Sequence, residues 1–438
     1  MDAIKDVYLN PSFQSSKFRI EFRIPKDKVF SSKMKIQKLG FKNTQAGAPQ
    51  ILYSISGGAL SMVKSISLKD KGVELDSCKN CGGFSNFKTM LGVPYESYGK
   101  DQEYAGRSGV DISSQFAANG SAPIQRIQSK AKPSVIGVGE NGKDGGVDVS
   151  FFLPMLSSVE SIDTTLFEDL RLVIELESSP IRVITKDNVA FENINSVLKL
   201  QEIVDPQLKA QMSAKSGVVS WEGYEHERFI IPAINTASTT RVATDTNVRL
   251  SGLRNKYITK LLIRKELQTD NTDIVNNNES VGEANNSSLA NMNEKIQFRV
   301  NGADLFPEGG LGDDKTMDIL AVTADAWGEY SMTPYGNEYG KGPGAYDANV
   351  ANWSLSKSIR SSFLQNRAYI GAKIETFCSD FSVIYTRSTV ADEVNAGATH
   401  LGNSSYTNLA QNAHLYYGVI KQLVVKDNSY AVRYMMGK

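Results

Sequence analysis

The sequence predicts an all-β protein built from two antiparallel β-sandwiches in tandem, with long inserted loops and few short helices. Three observations predict it. Short apolar runs recur between turn signals, with strict period-two alternation where they are clearest. Helix start and stop signals are few. The runs of the first half also return, in order and at similar spacing, in the second. Asp169-Leu-Arg-Leu-Val-Ile-Glu-Leu176 is followed by Glu177-Ser-Ser-Pro180, Ile181-Arg-Val-Ile184, a loop, and Ser196-Val-Leu-Lys-Leu-Gln201. Tyr369-Ile-Gly-Ala-Lys-Ile-Glu375 is followed by Ser379-Asp380, Phe381-Ser-Val-Ile-Tyr385, a loop, and Gly418-Val-Ile-Lys-Gln-Leu423. Ahead of each set lies a similar run, 59–68 in the first half and 257–263 in the second. Each set therefore reads as a strand, a hairpin and a closing strand.

The elements follow in order. In Lys17–Ile24, Phe18, Ile20, Phe22 and Ile24 share one face and the charged residues the other, and Pro25 stops the strand. Ile51–Ile55 and Leu60–Leu68 follow, broken by Gly57-Gly58. The turn Lys69–Gly72 leads into Val73-Glu-Leu75, and a short helix fits Phe84–Leu91, ended by Gly92 and Pro94. Residues 96–133, rich in Gly, Ser, Ala, Gln and Asn, form a long loop. Strands resume at 134–138 and 147–153, and Leu153-Pro154 breaks the chain before the Asp169 run. Asp205-Pro206 then punctuates it. The second half opens on Glu227–Pro232 and Thr239–Thr244, then a strand at 257–265. Residues 268–293, dense in Asn, Asp, Ser and Glu, read as a protruding loop. Lys295–Gly302 is a strand with an Asn-Gly turn signal, and 326–352 is a second long loop rich in Gly, Tyr and Asn. The expected division is an arm at 1–16, a first sandwich at 17–206, a connector at 207–218 and a second sandwich at 219–438.

Composition narrows the function. A chain of 438 residues suits two or three domains, and 41% apolar with 22% charged residues is ordinary for a folded protein. Lys plus Arg equal Asp plus Glu at 48 each. This balance gives no support for wrapping nucleic acid or binding an anionic membrane, and suits dense packing beside copies of itself. No stretch approaches the ~20 apolar residues of a membrane span. Met1–Asn10 lacks the apolar centre of a signal peptide, so folding in a reducing compartment is expected. Three cysteines are no disulfide framework.

No catalytic, cofactor or metal constellation emerges. Gly137-Val-Gly139-Glu-Asn-Gly142 has the letters of a dinucleotide fingerprint but leads into Lys143-Asp-Gly-Gly-Val-Asp-Val149, a turn and strand rather than a helix. Cys78-Lys-Asn-Cys81 has metal or redox spacing, yet lacks further ligands or a βαβ setting, and reads as two thiols in a loop. Gly309-Gly-Leu-Gly-Asp-Asp-Lys315 lacks the alternating oxygen ligands of a calcium loop. His226, His400 and His414 lie in no nucleophile or zinc motif and read as surface or packed imidazoles. Tyr95, Tyr98, Tyr104, Tyr330, Tyr335, Tyr339 and Tyr346 fall in the long loops, where packing or subunit contact is expected before ligand binding.

The order of elements resembles the double jelly-roll major capsid proteins of double-stranded DNA viruses. In size the chain is similar to those of polinton-like viruses and virophages. The local matches are Gly58–Leu68 followed by Asp70-Lys-Gly-Val-Glu-Leu75, and Leu170–Pro180; the resemblance spans Lys17–Tyr434. It implies two eight-stranded jelly rolls and a non-enzymatic virion protein, assembled inside the host cell without a signal peptide. Three chains would form a homotrimeric, pseudo-hexameric capsomer that tiles an icosahedral shell. Its partners would be itself, neighbouring capsomers, and penton and minor capsid proteins, with no sequence-specific nucleic acid. Loops 268–293 and 326–352 would project outward or knit neighbours, and the segment before Lys17 would be free to reach the inner face. Two other readings compete: a carbohydrate-binding or glycan-cleaving tandem sandwich using loop tyrosines, and another virion part such as a tail or penton component.

Overall fold

The computed structural model describes residues 3–15, 18–39, 41–43, 51–52, 63–84, 135–136, 145–177, 191–193, 195–213, 216–232, 243–267, 292–307, 309–312, 316–327, 369–389, 410–427 and 429–435. The first half holds β1 (Ile4–Leu9), β2 (Phe13–Gln14), β3 (Arg19–Arg23), β4 (Val29–Ser31), β5 (Lys35–Leu39), β6 (Phe41–Asn43), β7 (Ile51–Leu52) and β8 (Val63–Asp70). It continues through β9 (Val73–Lys79), β10 (Val135–Ile136), β11 (Gly145–Asp148), β12 (Ser161–Asp163), β13 (Leu170–Leu176), β14 (Phe191–Asn193) and β15 (Val197–Ile203). The second half holds β16 (Gly217–Ile231), β17 (Ala243–Arg249), β18 (Lys256–Leu267), β19 (Met292–Val300) and β20 (Ala303–Asp304). It ends with β21 (Leu311–Gly312), β22 (Tyr369–Cys378), β23 (Phe381–Thr389), β24 (Gln411–Lys426) and β25 (Ser429–Tyr434).

The sheets show the duplication directly. In the second half one sheet runs β16-β24-β18-β22 and the other β17-β23-β19-β20, with β21 also on β19. In the first half one sheet runs β11-β5-β15-β4-β12 with β1 on β15, and the other β2-β3-β13-β8-β9. Position for position, β1 matches β16, β15 matches β24, β4 with β5 matches β18, and β11 with β12 matches β22. Across the sandwich β3 matches β17, β13 matches β23, β8 matches β19, and β9 matches β20 with β21. Each half is thus one eight-position jelly roll made of two antiparallel sheets.

This matching corrects the phase of the repeat read from sequence. The run at 369–375 was set against 169–176, but by sheet position β13 corresponds to β23. The expected hairpin of 369–375 with 381–385 is not one. β22 pairs with β18, whereas β23 pairs with β17 and β19. The chain crosses from one sheet to the other at Ser379-Asp380. Asn301 fixes that crossing: its Oδ1 accepts from Ser379 N at 2.7 Å and Asp380 N at 3.2 Å, and its Nδ2 donates to Phe377 O at 2.8 Å. Asn301 can do so because it and Gly302 take φ of 53° and 84° in the turn between β19 and β20, as the Asn-Gly pair predicts. Period-two runs look alike, so alternation shows that a strand exists without naming its partner.

Other boundaries move too. Residues 4–9 are not free to reach elsewhere. β1 pairs with β15 from Ile4 opposite Ile203 to Leu9 opposite Leu198, and Val7 and Leu9 pack on the first core. Within 207–218, Pro206–Met212 is a helix capped by Asp205, whose Oδ1 accepts from Leu208 N at 2.8 Å, and β16 already begins at Gly217. A helical turn occupies 81–84, and 85–91 lie outside the described residues, as do 96–133, 268–291 and 328–352. Met292 and Asn293, expected in a loop, open β19, and 326–327 close a helix, Thr316–Trp327.

Cross-strand rows build the cores. Ile20, Ile174 and Ile66 stand side by side, as do Phe22, Leu172 and Leu68, and all six are buried against Phe30, Ile36, Leu198 and Leu200 of the facing sheet. Phe18 lies just before β3 and is 52% exposed, so the predicted apolar face starts at Ile20. Phe298, Val383, Ile296 and Tyr385 face Ile258, Leu261 and Ile263 in the second core.

Candidate assembly site at the seam between the sandwiches

The longest strands make the seam. β16 and β24, of 15 and 16 residues, pair along their whole length and outrun the second sandwich. Phe229, Ile231, Leu415, Tyr417 and Val419 line the second core, whereas Trp221, Tyr416 and Leu423 belong to the first. One ribbon thus serves both cores. β25 folds back on β24 and packs Tyr430 and Val432 against the first core.

Polar groups pin this apolar contact. Asp76 of β9 is wholly buried; its Oδ1 accepts from Ser77 N at 3.0 Å and its Oδ2 from Met155 N at 3.0 Å. Lys421 of β24, 5% exposed, sets its Nζ 3.8 Å from Asp76 Oδ1 and 3.9 Å from Glu225 Oε1. Glu225 also takes Lys256 Nζ at 2.6 Å, Tyr417 Oη at 3.0 Å and Tyr434 Oη at 2.5 Å. Charges alternate through Asp76, Lys421, Glu225 and Lys256, the arrangement that offsets desolvation of buried ions. Burial pushes the Asp76 carboxyl above its ordinary range despite Lys421. At Glu225 burial also pushes up, but the hydrogen bonds from Lys256 and Tyr434 and the charge of Lys421 win, and its carboxyl is held low. Farther along, Tyr430 Oη donates to Asp70 Oδ2 at 2.7 Å, and Asp70 Oδ1 holds Glu168 N and Asp169 N at 3.0 and 2.7 Å.

An aromatic knot lies at the other end. Phe84, from the helical turn after β9, meets Tyr224 at 5.0 Å, Tyr416 at 5.2 Å and Trp327 at 5.8 Å between ring centroids. Trp327 comes from the helix Thr316–Trp327, and its Nε1 donates to Leu261 O at 2.8 Å. That helix lies so close to β22 that a Cβ at Gly371 would stand 2.8 Å from Trp327 Cδ1, which makes glycine obligatory there.

Most residues singled out in the sequence lie elsewhere. Cys78 lies in β9, one residue before its end, and Cys81 opens the helical turn, both within the first core rather than in a loop, and Cys81 Sγ donates to Cys78 O at 3.1 Å. Burial drives the Cys81 thiol far up and Cys378 up to about 11. All three cysteines are free and buried. A thiol reagent at neutral pH should therefore label none in the native protein and all three in urea; fast native labelling would contradict this packing. Among the described residues no group of three or more His, Cys, Asp or Glu could hold a metal ion. In the Gly309–Lys315 segment, Leu311–Gly312 is strand β21 paired to Lys295 and Ile296, and 313–315 lie outside the described residues. So do 137–142, His400 and the seven loop tyrosines. His226 and His414 sit together at the seam. The seam residues Asp76, Lys421 and Glu225 went unmarked because one charge inside an apolar run reads as an outward position, and Phe84 was read only as the start of a short helix.

No family model matches the sequence, and no curated protein matches it. Solved structures do match. VP54 of PBCV-1, fitted into a reconstruction of the virophage Sputnik, is similar with a TM-score of 0.57 at 10% identity, over 99% of this chain and 97% of that one. A structure of the Sputnik virophage itself gives 0.55 at 10% identity, over 99% and 88%. The Faustovirus major capsid protein gives 0.50 at 9% identity, over 97% and 90%. The chain is a double jelly roll. At one residue in ten identical, the likeness is one of fold, and it runs over both halves of the chain in one alignment. Among the described residues of this double jelly roll, no helix is long and apolar enough to cross a membrane.

Proposed function

We propose that the chain is a major capsid protein, three copies of which form a pseudo-hexameric capsomer that tiles an icosahedral shell. The observation that carries the reading is the pair of like jelly rolls locked by a buried seam. Two like lobes per chain, repeated about a threefold axis, give six lobes and a nearly hexagonal outline. A head-to-tail contact between chains closes such a ring. A tile must keep its outline under load, and a seam with a shared core and buried ion pairs holds the lobes at one angle. On this reading the first lobe ends near Asp205-Pro206, the second begins near 219, and the protein is a component of the virion. Its partners are then its own copies, neighbouring capsomers, and penton and minor capsid proteins. Nothing in the role requires turnover. Subunit contacts of this obligate kind bury more than ~2,000 Å² with apolar centres.

The test is native mass spectrometry with electron microscopy of the purified chain. The expected result is a stable species near three times 48.0 kDa that packs into hexagonal sheets. A protein that stays monomeric at high concentration would overturn the reading.

A further inference from the structure

We propose that His226 and His414 form an acid-sensitive latch between the two sandwiches, a device independent of the capsid reading. His414, on β24, is 3% exposed. Its Nδ1 lies 2.9 Å from His226 Nε2 and 2.7 Å from Asn80 Nδ2, and the two rings lie nearly parallel with centroids 5.2 Å apart. Asn80 belongs to the first sandwich, both histidines to the second, so the triad spans the seam. Tyr416 closes it, donating Oη to Asn80 O at 3.0 Å and resting its ring 5.1 Å from His226.

Proton counting gives the mechanism. A ring nitrogen carries one proton or one lone pair, so His226 Nε2 and His414 Nδ1 can share a single proton between them. The contact survives when the pair is neutral and when it carries one extra proton. It does not survive two, because two N–H groups would then point at each other. The surroundings oppose the second charge further. Arg228 on β16 and Arg264 on β18 are the register partners of His414 on its two neighbouring strands, and Arg264 lies against Gly83. Among the described residues, the neutral Tyr416 also rests against the pair. On the first-sandwich side stand Asn80, Cys81 and the exposed Lys79, and the charge of Glu177 acts on the Cys81 thiol. Glu225, one residue from His226, is engaged by Lys256. A histidine that cannot accept its proton when folded, but can when unfolded, loses the seam stability as pH falls through about 6.5. The first contact to go is Asn80, and with it the turn that carries Phe84.

The chain has only three histidines, which keeps the test clean. Hydrogen–deuterium exchange is followed on the full chain at pH 7.5 and 5.5, corrected for intrinsic rate. Segments 80–84 and 411–417 should exchange about tenfold faster at the lower pH, the factor that one unit of pKa difference supplies. His226→Gln, which keeps an amide able to donate or accept, should hold its protection at pH 7.5 and lose most of the acid response. An unchanged acid response in folded His226→Gln overturns the proposal, as does a wild-type seam with none. Imidazole NMR of the wild type decides independently of any variant. One histidine of the pair should stay neutral well below pH 6, and two separate protonations near 6.5 with seam protection intact would overturn the latch.

Discussion

Replacing Lys421 with methionine will lower stability by about 3–5 kcal/mol at neutral pH, and the loss will shrink on acidification. The methionine fills the space of the lysine stem, so the change isolates the charge. It leaves Asp76 wholly buried and facing no cation, while two backbone N–H groups still bind its oxygens. The pH dependence follows from signs. Asp76 already titrates above its ordinary value because burial outweighs Lys421. A raised carboxyl contributes stability fully below its unfolded pKa and loses it as pH rises through the folded one. Without Lys421 that loss is larger at neutral pH. Glu225, held low partly by Lys421, runs the other way: its contribution is present at neutral pH and lost as pH falls. Removing Lys421 weakens that contribution too, again where the carboxylate is ionised. Both groups therefore predict a penalty greatest near pH 7 and smaller near pH 4.5. Urea unfolding of the variant and wild type at both values checks it. Adding Asp76→Asn should recover part of the loss at neutral pH, because the carboxylate then no longer needs a cation. An equal penalty at both pH values would mean that the ion pair is not what matters there.

Much of the fold was legible because burial imposes its own period. The run Ile20-Glu-Phe-Arg-Ile24 alternates since β3 has one face on the core, and Leu170–Leu176 reads as a strand for the same reason. The exceptions are instructive. Glu21 is buried in its strand because Arg19 and Arg171 both pair with it, a partnership between residues 150 positions apart in sequence. Several strands were legible, but Ile4–Leu9, Val29–Ser31 and Lys35–Leu39 were not, the strand expected at 147–153 stops at Asp148 before the 3-10 turn Val149–Phe151, and strand pairing was not legible at all. β22 and β23 are consecutive and similar, yet belong to different sheets, and only Asn301 reaching Ser379 and Asp380 shows why. In the helix Thr316–Trp327, the buried positions among the described side chains are Thr323, Ala326 and the partly buried Val322 and Trp327, and the most buried of them is polar, so no apolar stripe marks it in the sequence. The seam was the least legible part. It exists because β16 and β24 are longer than one sandwich needs, and excess strand length has no signature in alternation. The same ribbon turns Lys421 and Tyr416 toward the first sandwich, so a lysine that looks solvated is buried.

Phe84→Ala should have a comparable effect by a different route, costing about 3–5 kcal/mol. Phe84 is fully buried, and its ring is the common neighbour of Tyr224 and Tyr416 from the ribbon and Trp327 from the helix. Removing it leaves a cavity bounded by three large rings on separate elements, and rings of that size cannot collapse into it without moving their strands. The lesion falls on the contact between sandwiches rather than inside either one. The expected signature is therefore a change in cooperativity as well as in stability. The wild type, whose first core includes Trp221, Tyr416 and Leu423 from the second half, should unfold in one calorimetric transition. Phe84→Ala should resolve two, because each sandwich keeps its own buried rows while the link between them weakens. Ile174→Ala is the matched control: it deletes a buried side chain from the centre of the first sandwich, costs about 2–5 kcal/mol, and should lower that transition without splitting it. Under the capsid reading the two variants also part in assembly. Phe84→Ala frees the angle between lobes and should fail to form the threefold species at temperatures where it is still folded, whereas Ile174→Ala should form it. If Phe84→Ala unfolds in one step and assembles like the wild type, the lobes are held by something other than this seam, and the shape argument for tiling loses its physical basis.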